Sequence, residues 1–363
     1  MSDLEAIVST LLPSPLPEGG ELGETPDGVP VVMHAGQPIV ERDALEQSAV
    51  VVDRSWRSLL RLAGADRHRF LHGLTTCDVK SLAVGEGAYG FFTDAKGRVL
   101  ADGVVLANEK ALLVDLPASR AALIAEHLNK YVITDQVEVS LLPVRSILVA
   151  GSRAREECAA LGLALADESR WASAEASLDG LPIGVSDERR VGVSAFTLWV
   201  EHDHAAALFE RLSGSLAVSG WSVVNGARIE RGIPWFGVDF SQENIPQETA
   251  LESAVSFDKG CYLGQEVVAR VHFLGKASRK LHRVTFSASQ ALPPGTPLEA
   301  AEGQELGTLT SVSVTGERDY VGIASIHRRG RRRGHRPHDR RQECRNPRDR
   351  RALTARASRV SRR

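Results

Sequence analysis

Cys261 has the clearest capacity for covalent chemistry in this chain of 363 residues. It stands in Phe257-Asp258-Lys259-Gly260-Cys261-Tyr262-Leu263-Gly264-Gln265-Glu266-Val267-Val268-Ala269-Arg270. The thiolate is the nucleophile, and a neighbouring cation or a following helix N-terminus lowers the thiol pKa. Lys259 lies two positions before the thiol, and Val267, Val268 and Val271 fit one face of a short helix, or the start of a strand, just after it. Gly260 and Gly264 suit a tight bend. The spacing therefore allows an activated thiol. It equally allows a small buried hydrophobe in a glycine-rich turn, which is how most free cysteines behave.

The elements that must position this segment belong to an ordinary globular composition, 43% hydrophobic and 25% charged. The length permits two or three domains. No apolar run approaches the roughly eighteen residues of a membrane span, and the acidic Met1–Leu12 stretch lacks the basic start of a secretory signal. Cys77, Cys158, Cys261 and Cys344 are widely spread, with no metal-ligand spacing. A cytoplasmic protein with reduced thiols and no bound metal is expected. The net charge of −2 hides an asymmetry, because residues 327–363 hold 16 Arg, no Lys and 3 acidic residues. That leaves residues 1–326 with 28 basic and 43 acidic groups, a net of −15.

Along the chain, residues 13–30 are rich in Pro, Gly and Glu, so 1–33 reads as a flexible lead-in. Strands are expected at 50–53 and 58–62, with Asp66 capping a helix that buries Phe70, Leu71 and Leu74. Asp94-Ala95-Lys96-Gly97 is a hairpin turn between strands 88–93 and 98–107. Pro117 opens a helix whose Leu123, Ile124, His127, Leu128 and Tyr131 form one stripe. His127 fits that stripe better than a catalytic role, since no acid or nucleophile pairs with it. Strand-like segments (137–142, 145–150, 181–185, 195–200) then alternate with helical ones (152–161, 203–212). Asn225 is placed as the cap of a short helix closed by Gly232 and Pro234. After Lys276, short strands with Gly/Pro turns read as a small β-barrel. The pattern predicts α+β units with antiparallel sheet rather than a doubly wound fold. Neither a dinucleotide fingerprint nor a P-loop is present.

Lys259-Gly260-Cys261-Tyr262-Leu263-Gly264-Gln265-Glu266 resembles the KGC[FY]xGQE signature of the YgfZ family, folate-binding relatives of the glycine cleavage T-protein. Arg228-Ile229-Glu230-Arg231-Gly232-Ile233-Pro234, Pro246-Gln247-Glu248, Gly64-Ala65-Asp66-Arg67, Leu74-Thr75-Thr76 and Thr93-Asp94-Ala95-Lys96-Gly97-Arg98 extend the likeness across roughly 34–326. The resemblance implies a clover-like arrangement of ferredoxin-like units around a central folate channel over 34–275, with a C-terminal barrel at 276–327. It also implies a tetrahydrofolate-binding accessory factor (or one for a one-carbon-substituted folate) in iron–sulfur cluster assembly or repair, affecting tRNA modification indirectly. Its partners would be folate and iron–sulfur client or assembly proteins, not a membrane, and not tRNA directly. The enzyme alternative is aminomethyl transfer of the T-protein type.

On that resemblance Glu230 is the first expected folate contact, because a carboxylate matches the paired N–H donors of a pterin. The competing reading is a helix-face carboxylate paired with an arginine. Arg228, Tyr262, Gln265 and Arg270 complete the expected binding set, and Trp235 and Phe236 are aromatic candidates that core packing explains equally. Cys261, Lys259 and Asp102 form the expected reactive set. The T-protein's Asp-Asp pair aligns with Ala101-Asp102, so one carboxylate is lost. Asp102 is either a proton-handling group at the folate amine or a strand residue facing solvent. Cys261 would handle a folate adduct, a sulfur species or a transient cluster, which one cysteine cannot hold alone. Residues 328–363 read either as an RNA-binding arm or, preferably, as an out-of-frame product of a G+C-rich gene. On either account this tail lacks a packed core.

Overall fold

The structure is a computed structural model describing residues 18–163, 171–275, 277–299 and 304–328. The chain before residue 18 and the Arg-rich tail from residue 329 lie outside the described residues. The strands, in order, are β1 (Glu21–Glu24), β2 (Pro30–His34), β3 (Val50–Asp53), β4 (Arg57–Ala63), β5 (Gly87–Thr93), β6 (Val99–Ala107), β7 (Ala111–Pro117), β8 (Glu138–Leu141), β9 (Val144–Ala150), β10 (Ser173–Leu178), β11 (Leu181–Asp187), β12 (Ala195–Glu201), β13 (Ala217–Ser219), β14 (Arg279–Ser287), β15 (Pro297–Glu299), β16 (Glu305–Val314) and β17 (Asp319–His327). They form a five-stranded sheet β5-β6-β7-β4-β8, a six-stranded sheet β10-β11-β12-β9-β3-β13, a four-stranded sheet β14-β17-β16-β15 and the β1-β2 hairpin. Pairing is antiparallel throughout except for β13 on β3. The mixed α+β expectation therefore holds.

Each larger sheet buries one face under helices. In the five-stranded sheet, Leu60, Leu62, Val105 and Val114 pack with Phe70 and Leu71 of the helix Arg67–His72 and with Ile124 and Leu128 of the helix Ala121–Asn129. In the six-stranded sheet, Ile147, Val149, Phe196 and Leu198 meet Leu208, Phe209 and Leu212 of the helix Ala205–Ser213. Alternation along each strand sends the other set of side chains to the opposite face. There Leu59, Phe91, Val104 and Leu106 join Trp199, Phe236, Leu281 and Ile323 in a core shared by all three large sheets.

Several expectations differ from this arrangement. The C-terminal strands form an open sheet, with β14 and β15 at its edges and no closure into a barrel among the described residues. Residues 21–34 form a hairpin whose Val31 and Val32 are buried, so this part of the lead-in is packed. Asn225 does not cap a helix. The helix Trp221–Arg231 starts a turn earlier behind Gly220, and Asn225 accepts from Arg228 within it. Asp66 precedes its helix without a capping bond, its carboxylate accepting instead from the Gln136 N–H at 2.8 Å.

Candidate functional site

The Cys261 loop lies against the turn that follows the helix Arg67–His72. Cys261 is exposed, whereas Tyr262 beside it is 8% exposed. The ordering begins at Gly264, whose φ of 81° favours glycine and where a Cβ would meet the Asp94 carbonyl at 2.4 Å. That close approach seats the loop on the Asp94–Gly97 hairpin turn and starts the helix Gln265–Leu274. Of the valines read onto one face, only Val268 is fully buried. Gln265 accepts from the Tyr262 N–H through Oε1 at 3.2 Å and donates its own N–H to the Tyr262 carbonyl at 3.1 Å. Both of these bonds stay within the segment Tyr262–Gln265.

Lys259 turns inward. Its ammonium donates to the carbonyls of His72 and Thr75 and lies 5.0 Å from the centre of the Tyr262 ring. Burial pulls its pKa down to about 8, with Cys77 and Asp78 acting in the opposite direction. Cys77 is buried, and burial pushes its thiol up, which leaves it unreactive. The Tyr262 phenol is likewise pushed up to about 12 by burial.

A second constellation fills the interface between the two larger sheets. Arg54, Arg57 and Arg190 interleave with Asp102, Asp115 and Glu188, all buried or nearly so. Arg54 Nη2 reaches Asp115 Oδ2 at 2.8 Å and also binds Glu188. Arg57 links Asp115 at 2.9 Å to Asp102 at 3.0 Å, and Arg190 Nη2 meets Asp115 at 2.9 Å and Glu188 at 2.6 Å. Burial alone would raise the Asp115 pKa, but the three guanidiniums outweigh it and hold the carboxyl far below the usual range. The Tyr89 hydroxyl donates to Asp102 Oδ2 at 2.9 Å. Burial and the neighbouring Asp102 hold the Tyr89 pKa well above its ordinary value. Arg190 Nη1 is buried without a hydrogen-bond partner, 4.0 Å from Asp102 Oδ2.

One cleft borders this network, and a second is lined by other residues of the same two sheets. The narrower, ≈ 30 Å³, is bordered by Arg57, Asp102, Arg190, Trp56 and Trp235; it has room for about one water. The wider, ≈ 640 Å³, has Leu106, Leu113, Ile183 and Trp199 in its walls and Lys110 in its lining. Trp171 lines neither cleft. Its ring stacks on Tyr89 at 5.8 Å, with the Arg190 guanidinium 5.6 Å from its centre. It packs against the core that also holds Leu106 and Trp199.

Comparison with known proteins places this arrangement. Residues 35–259 match the family model described as the GCVT N-terminal domain. The chain belongs to the GCVT family. A putative chloroplast transferase of Arabidopsis thaliana is 29% identical over 274 residues, which is 74% of this chain and 63% of that protein's length. The tRNA-modifying protein YgfZ of Yersinia enterocolitica is 28% identical over 273 residues, covering 74% of this chain and 80% of its own. The YgfZ resemblance of the Cys261 signature thus extends over most of the chain. The glycine cleavage aminomethyltransferase T of Bartonella henselae shares the fold, with a TM-score of 0.77 at 20% identity over 85% of this chain and 86% of that one.

Within this GCVT-family chain the expected residues do not converge on one point. Glu230 binds Arg42 Nη2 at 2.9 Å and accepts from Ser313 at 3.0 Å, and it lines neither cleft. Arg228 is fully buried, bonded to Asp239 and the Ile233 carbonyl, with its guanidinium 5.0 Å from the Trp235 ring centre. Arg270 is exposed on the helix after Cys261. His127 is edge-on to Tyr131 at 5.2 Å on its helix stripe. Asp102 is 2% exposed, so it does not face solvent. Asp102 meets Tyr89, Arg57 and Arg190, and the network runs on to Arg54, Asp115 and Glu188; these six escaped the sequence reading because they come from four separate stretches, 54–57, 89, 115 and 188–190. One signal was available, namely Asp102 and Asp115 interrupting otherwise apolar strands, where a buried charge demands a partner. Among the described residues no group of His, Cys, Asp and Glu could hold a metal, and no helix is long and apolar enough to cross a membrane.

Proposed function

We propose that this GCVT-family chain binds tetrahydrofolate, or a one-carbon-substituted folate, and acts as an accessory factor in assembling or repairing iron–sulfur proteins, including those that modify tRNA. The observation that carries the reading is Cys261, the exposed thiol of the YgfZ-like signature, held on a loop anchored by the bonds of Lys259 and Gln265. Relatives 28% identical are named tRNA-modifying proteins, which agrees with the tRNA side of the proposal.

For folate, the wider cleft has a volume suited to such a ligand, with apolar walls for a ring system. The exposed Lys110 in its lining suits a carboxylate. Glu230 is left out of the proposed contacts, because Arg42 and Ser313 already occupy its carboxylate away from both clefts. Arg228 and Gln265 are assigned to holding structure, since Arg228 binds Asn225, Asp239 and the Ile233 carbonyl and Gln265 Oε1 binds the Tyr262 N–H.

The test is a strain lacking this gene, assayed for iron–sulfur enzyme activity. Wild type should restore that activity and Cys261→Ala should not, with the melting temperature of the purified variant unchanged. Full restoration by Cys261→Ala would sink the proposal. One observation favours a second reading, aminomethyl transfer: Asp102 presents a carboxylate at the narrow cleft, held by Tyr89 and Arg57. Methylene transfer from an aminomethyl donor to tetrahydrofolate by the purified chain would establish that reading instead.

A further inference from the structure

The Cys261 loop and the turn at 72–76 hold one another by an exchange of side-chain bonds between residues 187 positions apart. His72 Nε2 lies 2.8 Å from the Lys259 carbonyl oxygen. The Lys259 ammonium in turn donates to the His72 carbonyl and, at 2.6 Å, to that of Thr75. The other ring nitrogen fixes the direction of the first bond. His72 Nδ1 accepts from the Lys80 N–H at 3.3 Å when the ring is neutral, and faces Asp78 Oδ1 at 3.2 Å when it is charged. Either state leaves a proton on Nε2, so the imidazole is the donor to Lys259. On the far side of the thiol, the Leu263 N–H donates to the Gly73 carbonyl at 3.0 Å and Thr93 Oγ1 to the Leu263 carbonyl at 2.6 Å. Between these anchors Gly260 and Cys261 are exposed.

We propose that His72 and Lys259 are positioning residues for Cys261, clasping one side of the loop 259–263 so that the thiol is presented from one fixed place. The inference rests on the reading of Cys261 as a functional thiol. A freed loop would still expose the thiol but would spread it over many positions, and misplacement by an ångström is enough to lose a reacting geometry.

The experiment compares His72→Leu and Lys259→Met with the conservative Lys259→Arg, using the full chain and three readouts. Amide exchange at Leu263 should be at least about tenfold faster in the first two variants. Alkylation of Cys261 by iodoacetamide should stay within about threefold of wild type, because the thiol itself is untouched. Rescue of iron–sulfur enzyme activity in the deletion strain should fall by about tenfold or more. Lys259→Arg, which keeps a cationic donor, should recover most of the exchange protection and of the rescue. Unchanged exchange at Leu263, or wild-type rescue despite faster exchange, would overturn the proposal. If Cys261→Ala itself rescues fully, the reading of Cys261 falls, and the exchange data still decide the clasp.

Discussion

Asp53 closes β3 with its carboxylate buried, accepting from the Ser55 N–H at 3.1 Å and the Ser55 hydroxyl at 3.2 Å. Burial lifts its pKa from 3.8 to about 6, against the smaller opposing pull of Arg145 and the Ser55 bonds. The folded chain therefore holds more protons at this group than the unfolded chain between those two values. Stability from this group is fully present below pH 3.8 and is lost as pH rises through 6. Asp53→Asn should thus raise unfolding stability at pH 7.5 by about 1–3 kcal/mol and lose that advantage near pH 3.5. Urea denaturation at both pH values checks it, and an equal gain at both would refute the titration argument. Nothing around Val50-Val51-Val52-Asp53 announced such a group beyond a charge ending an apolar strand. Cys261 was more legible, because its neighbours Lys259, Gly260 and Gly264 are local. What those neighbours do was not. Lys259 spends its charge on carbonyls of a turn almost two hundred residues earlier, a direction no spacing encodes.

At the level of elements, the helix Trp221–Arg231 ties the hairpin, the central core and the C-terminal sheet together. Gly232 ends it in the left-handed region at φ 73°, and its N–H closes on the Ile229 carbonyl. Arg228 then reaches Asp239, which also accepts from Thr310 at 2.6 Å and Ser311 at 2.7 Å of β16. This buried pair is the joint between helix and sheet. Arg228→Met should cost about 3–5 kcal/mol by stranding the Asp239 charge. The double variant Arg228→Met, Asp239→Leu should recover part of that loss. Equilibrium denaturation of the three proteins decides; a single-variant cost below about 1 kcal/mol would mean that the pair is not the joint. Sequence periodicity found this helix and its glycine stop but misplaced its start, because Gly220 supplies no side-chain cap to read. It also missed β10, whose pattern Ser-Ala-Glu-Ala-Ser-Leu carries little hydrophobic signal and is set by pairing with β11.

On the scale of the whole molecule, the clefts arise where the two larger sheets face each other, and Trp171 stacks on Tyr89 without lining either one. Truncation to Trp171→Ala removes the ring that stacks on Tyr89 and lies 5.6 Å from the Arg190 guanidinium, leaving the lining of the wider cleft as it is. Tetrahydrofolate affinity, measured by calorimetry, should change by less than about threefold in this variant, because the ring is not part of the cleft proposed for the ligand. A larger loss would show that the ligand sits against Trp171 and not in the wider cleft. By itself, the sequence determined the α+β class, most of the strands and helices, and the segment around the reactive thiol. Those features depend on periodicity, turn residues and a contiguous motif, all properties of neighbours along the chain. The tertiary structure alone decided that Glu230 points to Arg42, that Asp102 is buried, that three arginines meet three acids, and that the C-terminal strands stay open. Each of these depends on which distant surfaces come into contact, and charges leave water only where such contact supplies a partner.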